Sequence, residues 1–426
     1  MSYSSFFKGS GLTGQMSKRD PVFSVPLMGR RTFINFIILA VLLLIVMPSS
    51  LEVFRLNLLG KYLSYAFVAI GLVLCWGYGG ILSLGQGIFF GLGGYCMAMF
   101  LKLEASTPEA TAIQSTPGIP DFMDWNQLTE LPWFWVPFKS FPLTMLLIFA
   151  VPAVFAYIFG LCMFKRRVGG VYFSIITQAI AAILTILIIG QQGYTGGVNG
   201  ITDLRTCLGI DIRTGEAKLA LYYICVICLL IAMFACHLLL RGKIGHLLLA
   251  IRDEEERVRF SGYDVANFKI FILCFSALLS AAGGALFTLQ VGFMSPSFVG
   301  IVASIEMVIF CAVGGRLSIF GAIYGTIIVN YAKTAVSENF PELWLFGMGA
   351  LFIGVVMFFP RGLAGLYDDY ISPYLTQGFK YLLTPENEES AKKTAPGKIL
   401  FAFIRDRYVS PLITRVVSRI HEYKGV

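Results

Sequence analysis

Residues 252–259, with the sequence RDEEERVR, form the most charged stretch of this chain. Seven of these eight side chains are charged, although Asp, Glu, Lys and Arg make up only 14% of the sequence. The stretch lies inside a polar segment, 241–267, which separates the apolar runs 219–240 and 268–290. Each apolar run is long enough to cross a bilayer as a helix. The sequence therefore predicts a membrane protein that presents one charged loop to an aqueous compartment.

The composition of the whole chain supports the same prediction. Of its 426 residues, 57% are hydrophobic, and the mean hydropathy is +0.75, which is too apolar for a water-soluble domain. Apolar runs of about 17 to 25 residues have the length of a membrane-spanning helix. We therefore predict an all-α polytopic membrane protein with about ten transmembrane helices, at 32–48, 58–76, 83–103, 141–164, 171–190, 219–240, 268–290, 301–313, 317–335 and 343–359.

The distribution of basic residues predicts the orientation, because Lys and Arg accumulate in short cytoplasmic loops. They occur at 18–31, 165–167 and 241–259, whereas the long loop 104–140 contains five acidic residues and one lysine. Loop 241–267 is therefore expected to be cytoplasmic, and an even number of spans places both termini on that side. The predicted parts are a cytoplasmic N-terminal segment, 1–31, a transmembrane domain, 32–366, and a cytoplasmic tail, 367–426.

The tail has its own pattern. Apolar residues recur every four positions from Leu400 to Ile420, with four arginines among them, and Pro411 interrupts the series. This spacing predicts basic amphipathic helices on either side of the proline. Such helices bind the anionic inner surface of a membrane, so membrane lipid is one expected partner of the tail. Packing against a cytoplasmic protein is the alternative.

Glycine spacing predicts close helix packing. Gly87 with Gly91, and Gly321 with Gly325, are G-x-x-x-G pairs, which let helix backbones approach each other inside a membrane. The pattern G-G-x-L-S occurs at 79–83 and again at 314–318. It indicates either an internal repeat, as many transporters have, or a coincidence in a glycine-rich chain.

Polar side chains inside the predicted spans are costly in lipid, so each is a candidate for a polar path. The alternative for the amides and hydroxyls is a hydrogen bond between helices. Glu306, the one acid at membrane depth in the predicted spans, is expected either to line a path or to hold two helices together. Lys333 is expected to extend toward the outer surface. The candidate path-lining residues are Gln86, Ser174, Thr177, Gln178 and Glu306.

No enzymatic chemistry is predicted. The three histidines, His237, His246 and His421, are far apart in sequence and have no suitably spaced ligands around them, so neither a metal nor a cofactor is expected. There is no G-x-x-x-x-G-K-[ST] phosphate loop, so any ATP hydrolysis is expected on a partner chain. Nucleic acid is not an expected partner.

Several segments resemble one family in order. The charged segment AIRDEEERVRFSG, 250–262, resembles the cytoplasmic loop of permease subunits in ATP-binding-cassette (ABC) importers of the branched-chain amino-acid type. The resemblance extends over about 32–368. The other matching segments are GYGGILSLGQGIFFGLGGY, 77–95; GGVYFSIITQAI, 169–180; TGGVNGITD, 195–203; SPSFVGIVASIEMVIFCAVGGRLSIFGA, 295–322; and ENFPELWLFGMGALFIGVVMFFPRGLAGL, 338–366.

This resemblance implies a permease subunit of an importer in a bacterial inner membrane. In this family the cytoplasmic loop carries a helix that contacts an ATPase subunit and couples ATP hydrolysis to transport. The other implied partners are a second, homologous permease and an external solute-binding protein. The residues implied in coupling are Arg252, Asp253, Glu254, Glu255, Glu256, Arg257 and Gly262.

The resemblance also implies a solute. Residues 295–300 with 304–307, and 340–346, are most similar to a urea permease subunit. Urea is a neutral solute that amides and hydroxyls can bind, whereas a zwitterionic amino acid needs helix termini or charges near its two ends. Urea is therefore the first prediction. Branched-chain amino acids or short amides, and an ATP-independent channel or secondary transporter, are the alternatives.

Overall fold

The computed structural model describes residues 30–339, 343–358 and 362–366. The predicted N-terminal segment, except for its last two residues, and the predicted tail helices lie outside the described residues. The helices are α1 Arg30–Val41, continued by a π-helix Leu42–Val46 and by α2 Met47–Ser50; α3 Val53–Leu72, continued by a π-helix Val73–Tyr78; α4 Gln86–Ala105; α5 Asp121–Trp125; α6 Phe141–Phe164; α7 Gly170–Gly190; α8 Gln192–Thr195; α9 Gly215–Arg241; α10 Lys243–Phe260; α11 Val265–Val291; α12 Ile301–Gly314; α13 Ile319–Asn339; α14 Leu343–Phe358; and α15 Gly362–Leu366.

The prediction of an all-α membrane protein is confirmed. Within the described residues, eight helical stretches are long and apolar enough to cross a membrane. They correspond to eight of the ten predicted spans. The other two predicted spans, 301–313 and 343–359, correspond to the shorter helices α12 and α14, which have 14 and 16 residues.

Helix α11 lies at the centre of the bundle and packs against α3, α4 and α6. Close contact with α4 depends on Gly284, because a Cβ atom there would overlap the carbonyl oxygen of Phe90. Four aromatic rings fill the space next to this contact. Their centroids lie 5.2 to 5.7 Å from neighbouring rings, and the residues are Tyr65, Phe90, Phe287 and Phe310.

The peripheral helices are far less covered. In α3 and α4 most side chains are buried, whereas in the span that contains α1 and in α7 most are not. The buried residues of α7 are Phe173, Ser174, Thr177 and Ala181, which lie on one face of the helix. The remaining apolar faces are available to lipid or to another membrane subunit.

The segment between α7 and α9 is an ordered turn region on the side of the loop 106–140. Gly196, Gly197 and Gly200 all have positive φ angles, a conformation that favours glycine. Ile201 exchanges two backbone hydrogen bonds of 2.9 Å with Met294. Two short strands follow, β1 Thr206–Cys207 and β2 Ile210–Asp211, and they pair antiparallel.

Salt bridges anchor the same region. Lys102, near the end of α4, bonds Asp121 at 2.9 Å and the carbonyl oxygen of Thr202 at 3.0 Å. Asp203 pairs with Arg205 and Arg213. The hydrogen bond from Arg205 is the main reason why the pKa of Asp203 lies below its usual value.

Candidate functional site

The charged segment predicted from the sequence folds as α10, and this helix is broken once. Glu254 has non-helical backbone angles, φ −150° and ψ 77°, so the helix changes direction there. Ile251, Val258 and Val265 form a small apolar cluster on the buried side of α10. Because Val265 begins α11, this cluster packs α10 against the end of the central helix and leaves the charged side of α10 exposed.

Two of the predicted coupling residues attach α10 to the bundle. The Arg252 guanidinium donates a hydrogen bond of 2.8 Å to the carbonyl oxygen of Gly77, at the end of α3. Glu255 accepts a hydrogen bond of 2.6 Å from Lys269 of α11 and another of 2.8 Å from Arg259. The Lys269 side chain is mostly buried, so its pair with Glu255 is less screened by solvent than a surface pair.

The other predicted coupling residues face solvent. The side chains of Asp253, Glu254, Glu256 and Arg257 are between 59% and 82% exposed. Exposed ion pairs contribute only about 0–1 kcal/mol to stability, so the fold does not depend on these charges. Gly262 ends the segment in a turn with φ +87°. Together these residues form the outward face of α10, which we call the α10 surface.

Two exposed aromatic residues beside the α10 surface were not predicted as site residues. Phe260 is 88% exposed and Tyr263 is 51% exposed. Both lie beside a charged segment in the sequence, and that neighbourhood is the signal that could have identified them. Tyr263 also lines an open groove of about 410 Å³ against Lys165 of the α6–α7 connection. A hydrogen bond from Lys165 is the main cause that lowers the pKa of Asp264, also in this groove.

Two helices, α4 and α12, begin next to each other inside the bundle. Helix α4 begins at Gln86, opposite Ser276 near the middle of α11. The chain therefore reaches this level from the end of α3 as the non-helical segment 79–85. Helix α12 begins beside the same point, because the backbone N–H of Gly87 donates to Oγ of Ser304 at 3.1 Å. Non-helical backbone at membrane depth occurs where it is buried in protein or lines a polar cavity.

Gln86 joins α4 to the central helix. Its Nε2 donates to Oγ of Ser276 at 3.2 Å, and its Oε1 accepts from Oγ of Ser280 at 3.0 Å. All three side chains are fully buried. In this arrangement the Gln86 amide makes the hydrogen bonds between helices that were the alternative to a path-lining role.

Ser174 and Thr177 fasten α7 to the non-helical segment. Oγ of Ser174 donates to the carbonyl oxygen of Leu82 at 2.7 Å, and Oγ1 of Thr177 accepts from the backbone N–H of Leu84 at 3.1 Å. Both side chains are buried. Gln178 follows on the same helix and is partly exposed, so of these three residues it alone has a side chain that is not buried.

The glycine pairs lie where helices meet. Gly87 and Gly91 of α4 face the segment that contains Val299, and a Cβ at either position would be too close to it. Gly321 and Gly325 of α13 face Gly314 of α12 in the same way. The predicted role of all four in packing stays consistent with these contacts.

The expectation that Lys333 extends toward the outer surface was wrong. Its Nζ donates to both carboxylate oxygens of Glu306, at 2.7 Å each. The Glu306 side chain is 13% exposed and the Lys333 side chain is 37% exposed. The carboxylate is therefore mostly buried, and the lysine is partly exposed. A carboxylate at membrane depth needs a charged or hydrogen-bonded partner, and Lys333 supplies it across α12 and α13.

Lys61 was missed by the sequence analysis although it lies inside a predicted span. It occupies α3, and the next residue, Tyr62, hydrogen-bonds Thr334, which follows Lys333, so Lys61 lies in the helical turn beside the Glu306–Lys333 pair. A lysine within an apolar run is itself the signal that could have found it. Within the described residues, no group of three or more metal-ligating side chains lies together.

Residues 54–356 match the family model described as branched-chain amino acid transport system / permease component. This match covers most of the sequence, so the chain belongs to that family of transport permeases. The class of protein is therefore a membrane subunit of a transport system, and its relatives are permeases and not enzymes.

Individual relatives agree with this assignment. The chain is similar to LivM of Salmonella typhimurium, a high-affinity branched-chain amino acid transport system permease protein, with 23% identity over 80% of this chain and 78% of LivM. LivM of Escherichia coli is also 23% identical, over 82% of this chain and 80% of LivM. The ribose import permease protein RbsC of Haemophilus influenzae is 22% identical over 73% of this chain and 86% of RbsC. No solved structure matches the chain.

Proposed function

We propose that this chain is a permease subunit of an ABC importer in a bacterial inner membrane, and that it binds an ATPase subunit through the α10 surface. The proposal rests on one observation: α10 carries exposed charges and is also bonded to the rest of the helix bundle. Asp253, Glu254, Glu256 and Arg257 are exposed, while Arg252 and Glu255 tie the helix to α3 and α11. A helix built in this way transmits force from a soluble partner to the membrane domain.

Arg252 links α10 to the chain just before the non-helical segment 79–85. Its guanidinium bonds Gly77, and the segment 79–85 begins two residues further along the chain. That segment is in turn held by Ser174 and Thr177 of α7. We propose that displacement of α10 shifts the segment 79–85 and the start of α4, which opens or closes a path along α7 and α12.

The proposed path uses the predicted polar residues in two ways. Gln178 and Glu306 are partly exposed, and they are proposed to line the path. Gln86, Ser174 and Thr177 are buried, and they are proposed to hold the helix breaks in place around it. Substrate sites of transporters are typically formed where membrane helices are discontinuous, and this supports the location.

The transport system is proposed to contain three further kinds of protein. A second, homologous permease is proposed to complete the path, an external solute-binding protein to deliver the solute, and separate ATPase subunits to hydrolyse ATP. The α10 surface is assigned to the ATPase. The tail, 367–426, is proposed to contact anionic lipid on the cytoplasmic side.

Two classes of solute are candidates for transport. Urea is supported by the resemblance of residues 295–300, 304–307 and 340–346 to a urea permease subunit. An amino acid is the second candidate, because LivM belongs by name to a branched-chain amino acid transport system. One structural observation favours the amino acid. Glu306, Lys333 and Lys61 place three charges together, and a zwitterion needs charges that a neutral solute such as urea does not.

The proposal is tested by purifying the tagged full-length chain from its native membrane and labelling the preparation with 8-azido-ATP. A labelled partner polypeptide is expected, whereas the chain itself remains unlabelled. The double variant Glu254→Lys with Glu256→Lys should lose that partner, because both exposed charges are reversed. The control Glu109→Lys with Glu130→Lys reverses two exposed charges on the other side of the bundle and should keep it.

A preparation with no nucleotide-labelled partner would contradict the importer and favour a channel or a secondary transporter. Retention of the partner by the Glu254→Lys, Glu256→Lys variant would place the ATPase contact elsewhere on the chain. Labelling of the chain itself would contradict the expectation that ATP is hydrolysed on a separate subunit.

A further inference from the structure

Lys61 is a half-buried lysine without a bonding partner in the part of the chain that the structure describes. No described residue accepts a hydrogen bond from its ammonium group or lies within ion-pair distance of it. Lys61 lies eight residues from Val53, the first residue of α3, which is about 12 Å along a helix. An ammonium group at such a depth is costly unless water or a counter-charge reaches it.

Among the described residues, the charges that act on Lys61 are the Glu306 carboxylate and the Lys333 ammonium. Lys333 already bonds both oxygens of Glu306, and Lys61 interacts electrostatically with both residues. Tyr62 and Thr334 are joined by a hydrogen bond of 2.5 Å. Since Tyr62 follows Lys61 and Thr334 follows Lys333, this bond holds the two lysine-bearing helical turns together.

The cluster of Lys61, Glu306 and Lys333 has a net charge of one positive unit when all three groups are ionised. Glu306 and Lys333 compensate each other, so the uncompensated charge is the ammonium of Lys61. The cluster is also accessible, because Lys333 is 37% exposed and Lys61 is partly exposed. Three helices, α3, α12 and α13, meet there, and the cluster lies toward the ends of α3 and α13 that face the loop 106–140.

We propose that this cluster is a binding site for the carboxylate of a small zwitterionic solute, an amino acid in the first instance. This inference rests on the proposed function and adds a solute-binding site to it. The ammonium of Lys61 binds the carboxylate of the solute. The Glu306 oxygens, which have further acceptor capacity beyond the bonds from Lys333, accept a hydrogen bond from the α-ammonium group of the solute. Lys333 is the positioning residue that holds Glu306.

The charges of Lys61 and Glu306 favour a zwitterion over a neutral solute. A zwitterion brings one negative and one positive group, so it compensates Lys61 and keeps Glu306 bonded at the same time. Urea has no charge to offer Lys61 and would leave the ammonium unpaired. The site lies at the side from which an external binding protein would deliver its solute, according to the predicted orientation.

The test is uptake by cells that lack the gene and express the chain with its native partner subunits. Labelled L-leucine, L-serine, L-glutamate and urea are supplied separately at micromolar concentration. We expect the wild-type chain to restore uptake of at least one amino acid. Lys61→Gln should lower that uptake at least tenfold, and Lys61→Arg, which keeps the charge, should retain at least half of it. Lys139→Gln, which removes an exposed lysine outside the spans, should leave uptake unchanged.

A second variant separates binding from folding. Lys61→Met removes the charge and keeps much of the side-chain length. Because an unpaired ammonium at membrane depth is unfavourable, the purified variant is expected to melt at the same temperature as the wild type or higher, while amino-acid uptake falls at least tenfold. A lower melting temperature together with unchanged uptake per folded molecule would show a structural role and overturn the site.

The outcomes distinguish the site from the proposed function. Restored amino-acid uptake that Lys61→Gln and Lys61→Met leave unchanged would overturn the site and leave the importer standing. Restored uptake of urea alone would do the same. If the wild-type chain restored uptake of no solute, the proposed function would fail, and the site with it.

Discussion

At the scale of single residues, Arg252 connects α10 to the end of α3. Its guanidinium bonds the carbonyl oxygen of Gly77, and hydrogen bonds to charged groups contribute about 1.5–3 kcal/mol. We expect Arg252→Gln to remain in the membrane but to lower ATP-driven uptake about tenfold or more, because α10 loses its link to α3. Uptake of labelled solute per amount of assembled complex is the measurement. Arg166→Gln, on the exposed α6–α7 connection, is the control, and equal loss in both variants would contradict the assignment.

The ion pair between Glu306 and Lys333 gives a second prediction for single residues. Removing one partner of a fully buried pair costs about 3–5 kcal/mol, and partial exposure of Lys333 reduces this. Glu306→Gln should therefore destabilise the chain by about 1–3 kcal/mol. The double variant with Lys333→Gln should be more stable than Glu306→Gln, since Lys333 is then not left without its carboxylate partner. Melting temperatures in detergent measure both, and additive losses would contradict the pairing.

At this scale the sequence indicates which polar residues are candidates for a site, but it does not indicate their partners. Glu306 and Lys333 were both singled out, yet their bond joins helices whose relative rotation no periodicity reveals. The same holds for Gln86, whose partners Ser276 and Ser280 lie on another helix. Lys61 was missed because a single lysine does not break a long apolar run.

At the scale of elements, the central packing of α11 depends on small residues. A Cβ atom at Gly284 would overlap the Phe90 carbonyl oxygen, and backbone atoms cannot move aside as a flexible side chain does. Gly284→Ala should therefore destabilise the chain by about 1–3 kcal/mol, the usual cost of overpacking. Gly190→Ala is the matched control, because nothing lies within 4 Å of a Cβ at that position. Similar melting temperatures for the two variants would contradict the packing of α4 on α11.

The positions of most helices followed from the sequence because apolar length is a strong signal. The span predicted at 301–313 corresponds to a helix at 301–314, which has only 14 residues, and the span predicted at 141–164 has the observed bounds. The predicted spans 58–76 and 83–103 leave 77–82 between them, so a break before α4 followed from the sequence, whereas its position beside Ser276 inside the bundle did not. The non-helical segment 79–85 is held in place because Ser174 and Thr177 of α7 bind its backbone, and that is a tertiary contact.

At the scale of the whole molecule, family membership, the eight long spans within the described residues and the α10 surface together support the proposal that this chain is one subunit of a transport complex. The membrane domain offers apolar faces on α1 and α7, charges on α10, and a charged cluster at Lys61, Glu306 and Lys333. A second permease, an ATPase and a solute would each use a different one of these surfaces. The central claim is that ATP hydrolysed on a partner drives a solute through the path that this chain helps to form.

Transport by the purified complex in proteoliposomes tests that claim most directly. The binding protein and labelled leucine or labelled urea are added outside, and ATP is enclosed in the lumen. The account predicts that one of the two solutes accumulates above its outside concentration only when hydrolysable ATP is enclosed. Solute that merely equilibrates, at the same rate with and without ATP, would contradict the account and identify a passive path.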